Sequence, residues 1–184
     1  MIFSDKTIKE YLYYKKIIIR PKVKPFDIRP TGIRVHLGDK ILIPCPGQRV
    51  SLSSIADVKY DEYSIKKKSF LLKPNSFVLA ATREFIKTPR DIIGFLDGRS
   101  TVARLGITAH ITASITDGII YGEHIVFEIK NVGVFDIELN YLDPIGLLSF
   151  IQLTTPVEQE QESKYKNQNG VVAPNLKFRI GVDK

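Results

Sequence analysis

The sequence predicts one all-β domain with a leading helix, of sandwich or jelly-roll type. Beyond residue 16 the apolar residues occur in short runs with a period of about two, and Pro, Gly and Asn separate these runs. The chain has 184 residues, of which 43% are hydrophobic and 26% are charged, as is typical of a folded globular protein. No internal repeat or shift in composition marks a boundary, so we expect a single domain over residues 1–184.

The first element is predicted to be a helix. Ser4 is a candidate N-cap, Asp5 suits the positive end of the helix dipole, and Ile8 is placed to pack back onto Phe3. The apolar stripe that begins at Ile8 continues for one further turn. We expect the helix to end near Lys15 or Lys16.

The remaining elements are predicted to be strands. Residues 107–115 alternate most clearly, which favours one continuous strand. Residues 73–76 (KPNS) have the composition of a hairpin turn between two further runs. The predicted strands are 17–19, 32–38, 40–44, 69–72, 77–81, 107–115, 125–129, 135–139 and 145–153.

Composition excludes several classes of protein. The single cysteine, Cys45, rules out an internal disulfide framework and a Cys-rich zinc site. No window approaches the ~20 apolar residues of a membrane span. The N-terminus lacks a secretory signal, so we expect a cytoplasmic protein without a membrane partner. The net charge of +7 favours an anionic partner, which composition alone leaves open among nucleic acid, a membrane surface and a phosphorylated metabolite.

Two segments carry residues suited to chemistry. Segment 97–106 (DGRSTVARLG) follows an apolar run, and Gly98 and Gly106 can bracket one helical turn whose amides, cations and hydroxyls suit an anion. In segment 124–130 (HIVFEIK) a period of two places Glu128 on one face with Val126, opposite Ile125, Phe127 and Ile129. A carboxylate there is commonly exposed or ion-paired, but one that is buried can serve as a general acid or base. Arg104 is a candidate neighbour for it.

These segments, taken together, resemble the dCTP deaminase family. The resemblance rests on 97–106 (DGRSTVARLG), 110–113 (HITA), Asp117, Gly122 and 125–128 (IVFE), and it continues in 34–38 (RVHLG), 145–150 (IGLLSF) and 164–173 (KYKNQNGVVA). It therefore extends in order over nearly the whole chain.

The resemblance implies a distorted jelly roll or β-barrel of the dUTPase-like fold, assembled as a homotrimer with active sites between subunits. It implies hydrolysis of dCTP to dUTP and ammonia, with Mg²⁺ bound through the triphosphate and held by no protein side chain. Zinc is not expected, since one cysteine cannot supply the ligands of a zinc deaminase. The expected ligands are dCTP and dUTP, with dTTP as a candidate inhibitor.

The resemblance also implies roles for individual residues. Glu128 matches the catalytic acid/base. Ser100, Arg104 and the carbonyl of Ala113 match groups that hold the attacking water and the charge of Glu128. The polar tail 154–184 matches an arm that closes over the nucleotide. The residues that match phosphate, sugar, base and tail contacts are Arg99, Ser100, Thr101, Val102, Ala103, Arg104, Asp117, Val126, Phe127, Lys164 and Gln168.

One departure from the family pattern affects the predicted site. The chain has one residue more between Gly122 and Glu128 than the pattern has. A shift of one residue reverses the face to which a strand residue points, so Glu128 would point to the wrong face unless a bulge near Gly122 and Glu123 absorbs the extra residue.

Other functions remain open. A bifunctional deaminase and dUTP diphosphatase would use the same residues, and the stretch from Asp117 to Glu123 faintly resembles dUTPases. A pure dUTPase is disfavoured because the C-terminus lacks a Gly-rich arm. A basic nucleic-acid-binding module would need aromatic residues interleaved with Lys and Arg on one sheet face, which the pattern does not offer. A non-catalytic nucleotide-binding protein is the remaining alternative.

Overall fold

The structure is a computed structural model that describes residues 1–52, 57–158, 165 and 168–176. These residues form two short helices and twelve strands. The helices are α1 (Asp5–Tyr13) and α2 (Ser100–Arg104), and the strands are β1 (Ile18–Arg20), β2 (Ile28–Arg29), β3 (Gly32–Pro44), β4 (Tyr60–Ser64), β5 (Phe70–Leu72), β6 (Phe77–Lys87), β7 (Ile92–Gly98), β8 (Ile107–Thr108), β9 (Ile115–Thr116), β10 (Glu123–Asn131), β11 (Ile137–Leu139) and β12 (Pro144–Gln152). The chain is therefore mainly β with a short N-terminal helix, as the sequence predicts.

Ten of the strands form one curled antiparallel sheet. Its main path runs β8-β10-β6-β3-β12-β7-β9, while β1 pairs with β6 and both β2 and β4 pair with β3. The long strand β3 joins two layers, because its first half pairs with β12 and its second half pairs with β6. The sheet thus folds over on itself around β3.

The core lies between these two layers. A Cβ on Gly146 of β12 would lie 2.9 Å from Val35, 3.1 Å from Leu96 and 3.2 Å from Phe127, so three strands converge on this glycine. Phe127 and Phe150 are the largest of the fully buried side chains. Burial of such aromatic and branched residues supplies most of the driving force for folding.

Helix α1 follows the predicted capping. The Ser4 side chain accepts a hydrogen bond from the Thr7 amide at 3.4 Å, and Phe3 and Ile8 are both buried. The helix ends at Tyr13, two to three residues earlier than predicted, and Lys15 adopts a left-handed φ of 56°. None of the helices in the described ranges is long and apolar enough to cross a bilayer.

The predicted strand over 107–115 is wrong. Only Ile107–Thr108 and Ile115–Thr116 are extended in ladders, and bends separate them. Ile107 and Ala109 are buried as the alternation requires, whereas Ile111, Ala113 and Ile115 are exposed. The chain bends after Thr108, and the second half of the segment leaves the core. The apolar alternation in the sequence therefore continues through residues that do not form one strand.

The predicted hairpin around residues 73–76 is also wrong in its pairing. The turn itself is present, with the Ser76 amide donating to the Lys73 carbonyl at 3.0 Å and Asn75 at a φ of 63°. However, β5 pairs with β11 in a separate two-stranded sheet, while β6 joins the large sheet. Long-range pairing overrides the local turn signal.

Candidate active site

One pocket brings several of the predicted site residues together around a carboxylate. It has a volume of about 260 Å³ and lies beside strands β9 and β10. We call it the carboxylate pocket. Its lining includes five of the predicted site residues and Glu123, and the six are Ala113, Asp117, Glu123, Val126, Glu128 and Gln168.

Glu128 reaches this pocket because of the alternation along β10. Ile125, Phe127 and Ile129 are buried in the core, so Val126 and Glu128 face the other way. Glu128 Oε2 accepts a hydrogen bond from the Ile111 backbone amide at 3.1 Å, and the Glu128 amide donates to the Ala109 carbonyl at 3.2 Å. The bent segment that replaces the predicted strand thus holds the carboxylate in place.

An irregularity in the strand ladder precedes Glu128 on β10. The pairing of β10 with β6 shifts between His124 and Val126, where the partner residue changes from Phe85 to Ala81. The irregularity lies slightly beyond the Gly122–Glu123 position predicted for a bulge. Gly122 has a φ of 91°, and a Cβ there would lie 2.6 Å from Phe85. From Ile125 onward the alternation along β10 is regular, so Glu128 lies on the pocket side of the strand.

A second carboxyl group, that of Glu123, lies in the same pocket. A Cβ on Gly118 would overlap the Glu123 carboxylate, so this side chain packs closely on the short 3-10 turn at Gly118–Ile120. Burial raises the pKa of Glu123 to about 7, and the negative charge of Asp117 contributes to the increase. Glu123 is therefore partly protonated at neutral pH.

The first residues of the turn that the sequence analysis assigned to an anion line a different pocket. Arg99, Ser100 and Thr101 face a space of about 400 Å³ beside the start of α2, together with Arg29 and Arg34. We call it the arginine pocket. Helix α2 is the single turn predicted from the sequence, and Gly106 closes it at a φ of 83°. A Cβ on Gly106 would overlap Gly133, so close approach of the two backbones also requires glycine.

The other predicted residues are placed as follows. Arg104 is exposed at the end of α2, and it forms no ion pair with Glu128 among the described residues. Ala103 is exposed and Val102 half-buried on the same helix. The Phe127 side chain is fully buried, which leaves only its backbone for contact with a ligand. Lys164 lies outside the described residues.

The tail reaches the carboxylate pocket through Gln168. Its Nε2 donates to the His124 carbonyl at 2.7 Å, which joins the segment 168–176 to β10. Tyr165, Val172 and Pro174 also line the pocket. The described part of the tail therefore covers the same side of the sheet as Glu128.

Sequence reasoning gave no site role to Arg29 and Arg34, and it mentioned Glu123 for a bulge and for its likeness to dUTPases without giving it a role of its own. Arg34 alternates with the buried residues Ile33 and Val35, so the pattern could have placed it outside the core. No comparable signal exists for Arg29, because its proximity to Arg99 results from long-range pairing of strands.

The fold is that of a solved nucleotide deaminase. The structure matches the 2'-deoxycytidine 5'-triphosphate deaminase from Agrobacterium tumefaciens with a TM-score of 0.61 at 18% sequence identity. The match covers 81% of this chain and 47% of that chain, so this chain spans about half of its length. The likeness at this identity concerns the fold.

Sequence comparison then defines the family. A family model described as dCTP deaminase-like matches residues 2–153. The dCTP deaminase from Buchnera aphidicola subsp. Schizaphis graminum is 36% identical over 191 residues, covering 96% of this chain and 98% of that protein. A dUMP-forming dCTP deaminase from Methanobrevibacter smithii is 34% identical over 177 residues, covering 91% of each chain. The chain belongs to the dCTP deaminase-like family.

Proposed function

We propose that this chain hydrolyses the 4-amino group of dCTP, giving dUTP and ammonia, with Glu128 as the general acid/base. The observation that carries the proposal is the position of Glu128. Its carboxylate lies in a pocket with Ala113, Asp117 and Gln168, and the Ile111 amide fixes its orientation. The names of the relatives support the same substrate.

The chemistry assigned to Glu128 is proton transfer. The carboxylate removes a proton from a water molecule as the water oxygen attacks C4 of cytosine, and Glu128 passes this proton to the pyrimidine N3. Glu128 then carries the proton of the new C4 hydroxyl to the amino nitrogen, so that the C4–N bond breaks, a C4 carbonyl forms and ammonia leaves. The carbonyl of Ala113 and the hydroxyl of Ser100 are proposed to hold the water, and Arg104 to stabilise the negative charge of Glu128.

We propose that the complete site forms between subunits of a homotrimer. Glu128 and Ala113 line the carboxylate pocket, whereas Ser100 lines the arginine pocket. A site that needs all three is more readily built when α2 of one subunit approaches β10 of another. The separation of these residues within one chain supports that arrangement.

The phosphates are proposed to bind to the turn from Arg99 to Arg104. Arg99, Ser100 and Thr101 supply a guanidinium and two hydroxyls to the arginine pocket, and such donors suit phosphate oxygens. The described residues contain no group of three or more His, Cys, Asp or Glu placed to hold a metal ion. Mg²⁺ is therefore proposed to enter with the triphosphate, whose oxygens would hold it and whose charge it would reduce.

The sugar and the base are proposed to lie over β9 and β10. Asp117 is exposed at the end of β9 and suits the deoxyribose hydroxyl. The backbone at Val126 and Phe127 is proposed to read the edge of cytosine. Gln168, already hydrogen-bonded to β10, and Lys164 are proposed to close over the nucleotide.

A bifunctional enzyme that continues from dUTP to dUMP and pyrophosphate is the second candidate. Two observations favour it. Relatives from Methanobrevibacter smithii and Dictyoglomus turgidum, the latter 35% identical over 195 residues, are dUMP-forming dCTP deaminases. In addition, Asp117 and Glu123 place two further carboxyl groups in the pocket of Glu128, and a second hydrolysis requires a base.

One assay tests both candidates. The protein is incubated with dCTP and Mg²⁺, and dUTP, dUMP, pyrophosphate and ammonia are resolved over time. Accumulation of dUTP with ammonia supports a deaminase alone, whereas dUMP with pyrophosphate supports the bifunctional enzyme. Absence of ammonia release from dCTP by the wild-type protein would contradict the proposal.

A further inference from the structure

Three guanidinium groups converge in the arginine pocket. Arg29 ends β2, Arg34 lies on β3, and Arg99 follows β7. Arg34 and Asp97 are both register partners of Leu147 on β12, so β3 and β7 lie on either side of this strand. Strands two apart in a sheet are about 10 Å from each other, which brings Arg34 within reach of the residues next to Asp97.

Few acidic groups offset this positive charge. No Asp or Glu is among the residues that line the pocket, and none of the three arginines forms an ion pair with another described residue. Asp97 accepts a hydrogen bond from the Gly98 amide and lies 3.4 Å from His110. Asp27 is buried beside His36, at 3.6 Å. Arg34 also lines a second cavity with Asp27 and Glu84, and both of these carboxylates contact His36.

The electrostatics of Arg99 agree with this geometry. Its burial lowers the pKa of the guanidinium, and the positive charges of Arg34 and Arg29 lower it further, while Asp27 acts in the opposite direction. One Arg99 N–H donates to the Pro144 carbonyl, which fixes the side chain at the pocket wall. Clustered like charges with few counter-charges favour a multiply charged anion.

We infer that Arg29 and Arg34 join Arg99 in binding the triphosphate of the nucleotide. The inference rests on the proposed function and assigns it two residues from the β2–β3 hairpin. The shared chemistry is a polyphosphate chain, whether attached to a nucleoside or free. Guanidinium groups suit it because each can form two parallel hydrogen bonds to phosphate oxygens. A pocket of about 400 Å³ falls within the usual range for small ligands.

The test uses Arg29→Gln and Arg34→Gln in the full-length protein. Each should raise the KM for dCTP about tenfold, since each removes charge-assisted hydrogen bonds, and should change kcat much less. The loss of affinity should be largest for dCTP, smaller for dCDP and smallest for dCMP. Binding of inorganic tripolyphosphate, measured by calorimetry, should weaken by a similar factor, which provides a readout besides activity.

The matched control is Arg49→Gln. Arg49 is an exposed arginine of the β3–β4 connection and lies outside the arginine pocket, so the same loss of charge there should leave the KM within about twofold. Arg34→Lys guards against a folding defect, because it keeps the charge and should restore part of the affinity. Circular dichroism of all variants checks the fold.

The outcomes separate the inference from the proposed function. If the wild type deaminates dCTP and both Gln variants retain its KM, the inference is wrong and the deaminase stands. If tripolyphosphate binding weakens while the KM for dCTP is unchanged, the cluster binds a free polyphosphate and the nucleotide assignment is wrong. If the wild type shows no deamination, the proposed function is wrong. The role of the three arginines in binding polyphosphate is then tested by tripolyphosphate binding alone, which the Gln variants should weaken.

Discussion

The carboxylate of Glu128 accepts a hydrogen bond from the backbone amide of Ile111 at 3.1 Å. This contact joins the centre of β10 to the bent segment between β8 and β9. This hydrogen bond fixes the orientation of the carboxylate on the pocket side of β10. The position of Glu128 therefore depends on both elements.

Replacement of Glu128 by Gln should abolish deamination and preserve binding. Glutamine keeps the shape and can still accept the Ile111 hydrogen bond, but it cannot remove a proton from water. We expect kcat for ammonia release to fall by about 10³-fold, in the range of general acid–base catalysis. Calorimetric affinity for dCTP should stay within about threefold of the wild-type value.

The control for this substitution is Glu138→Gln. Glu138 is exposed on β11, in the separate two-stranded sheet, and the change of charge is the same. Its kcat should equal that of the wild type. Ammonia release by Glu128→Gln at the wild-type rate would contradict the role assigned to Glu128.

Glu123 should make the stability of the protein depend on pH. Burial raises the pKa of Glu123 to about 7 in the folded protein, whereas its ordinary value is 4.5. Between these values the folded state binds more protons than the unfolded state, so the free energy of unfolding falls as the pH rises. The decrease should be on the order of 2 kcal/mol by about pH 8, allowing for screening by solvent.

Urea unfolding of Glu123→Gln tests this dependence. The variant has no ionisable group at this position, so its free energy of unfolding should match that of the wild type at about pH 4.5 and exceed it at about pH 8. Glu10→Gln, on the exposed face of α1, controls for the general effect of removing a carboxylate. A difference between Glu123→Gln and the wild type that does not change with pH would refute the prediction.

Local sequence signals predicted the fold class and the direction of Glu128, because both depend on alternation along single strands. The buried residues Ile125, Phe127 and Ile129 follow the pattern that a strand with one core face requires. The same reasoning failed for 107–115, where the alternation continues across a bend. Alternation of apolar residues indicates which residues could lie on one face of a strand. Whether the strand forms depends on pairing with neighbouring strands.

Sequence patterns could not predict contacts between residues on strands that are far apart in the sequence. Arg29 and Arg34 approach Arg99 through pairing in the order β2-β3-β12-β7. No short-range spacing encodes that order, since Arg34 and Arg99 are far apart in the chain. The resemblance to a family placed Ser100 and Glu128 in one site, whereas the residues alone suggested only that Arg104 could lie near Glu128.

Gln168→Ala should weaken nucleotide binding more than it affects the fold. The substitution removes the hydrogen bond from Gln168 Nε2 to the His124 carbonyl, which joins the tail to β10. One such bond contributes about 1 kcal/mol, so the KM for dCTP should rise about fivefold, with little change in Tm. Steady-state kinetics and thermal unfolding measure the two effects.

The neighbouring substitution Asn169→Ala is the control for the tail. Asn169 lines a different pocket, which also contains Gly38 and Tyr141, so its loss should leave the KM close to the wild-type value. Equal increases of KM in the two variants would mean that any change in the tail perturbs binding, and Gln168 would then have no particular role.

Gly94→Ala should destabilise the protein and disturb the position of Asp117. A Cβ at this buried position of β7 would overlap Thr116 Oγ1 and lie 2.8 Å from Leu148, so β9 would have to move. We expect a loss of about 2 kcal/mol in the free energy of unfolding, as is typical of overpacking in a core. Gly98→Ala on the same strand is the matched control, because a Cβ there has no neighbour within 4 Å. Urea denaturation compares the free energies of unfolding of the two variants. Equal values would contradict the prediction, because they would mean that β9 can move without loss of stability.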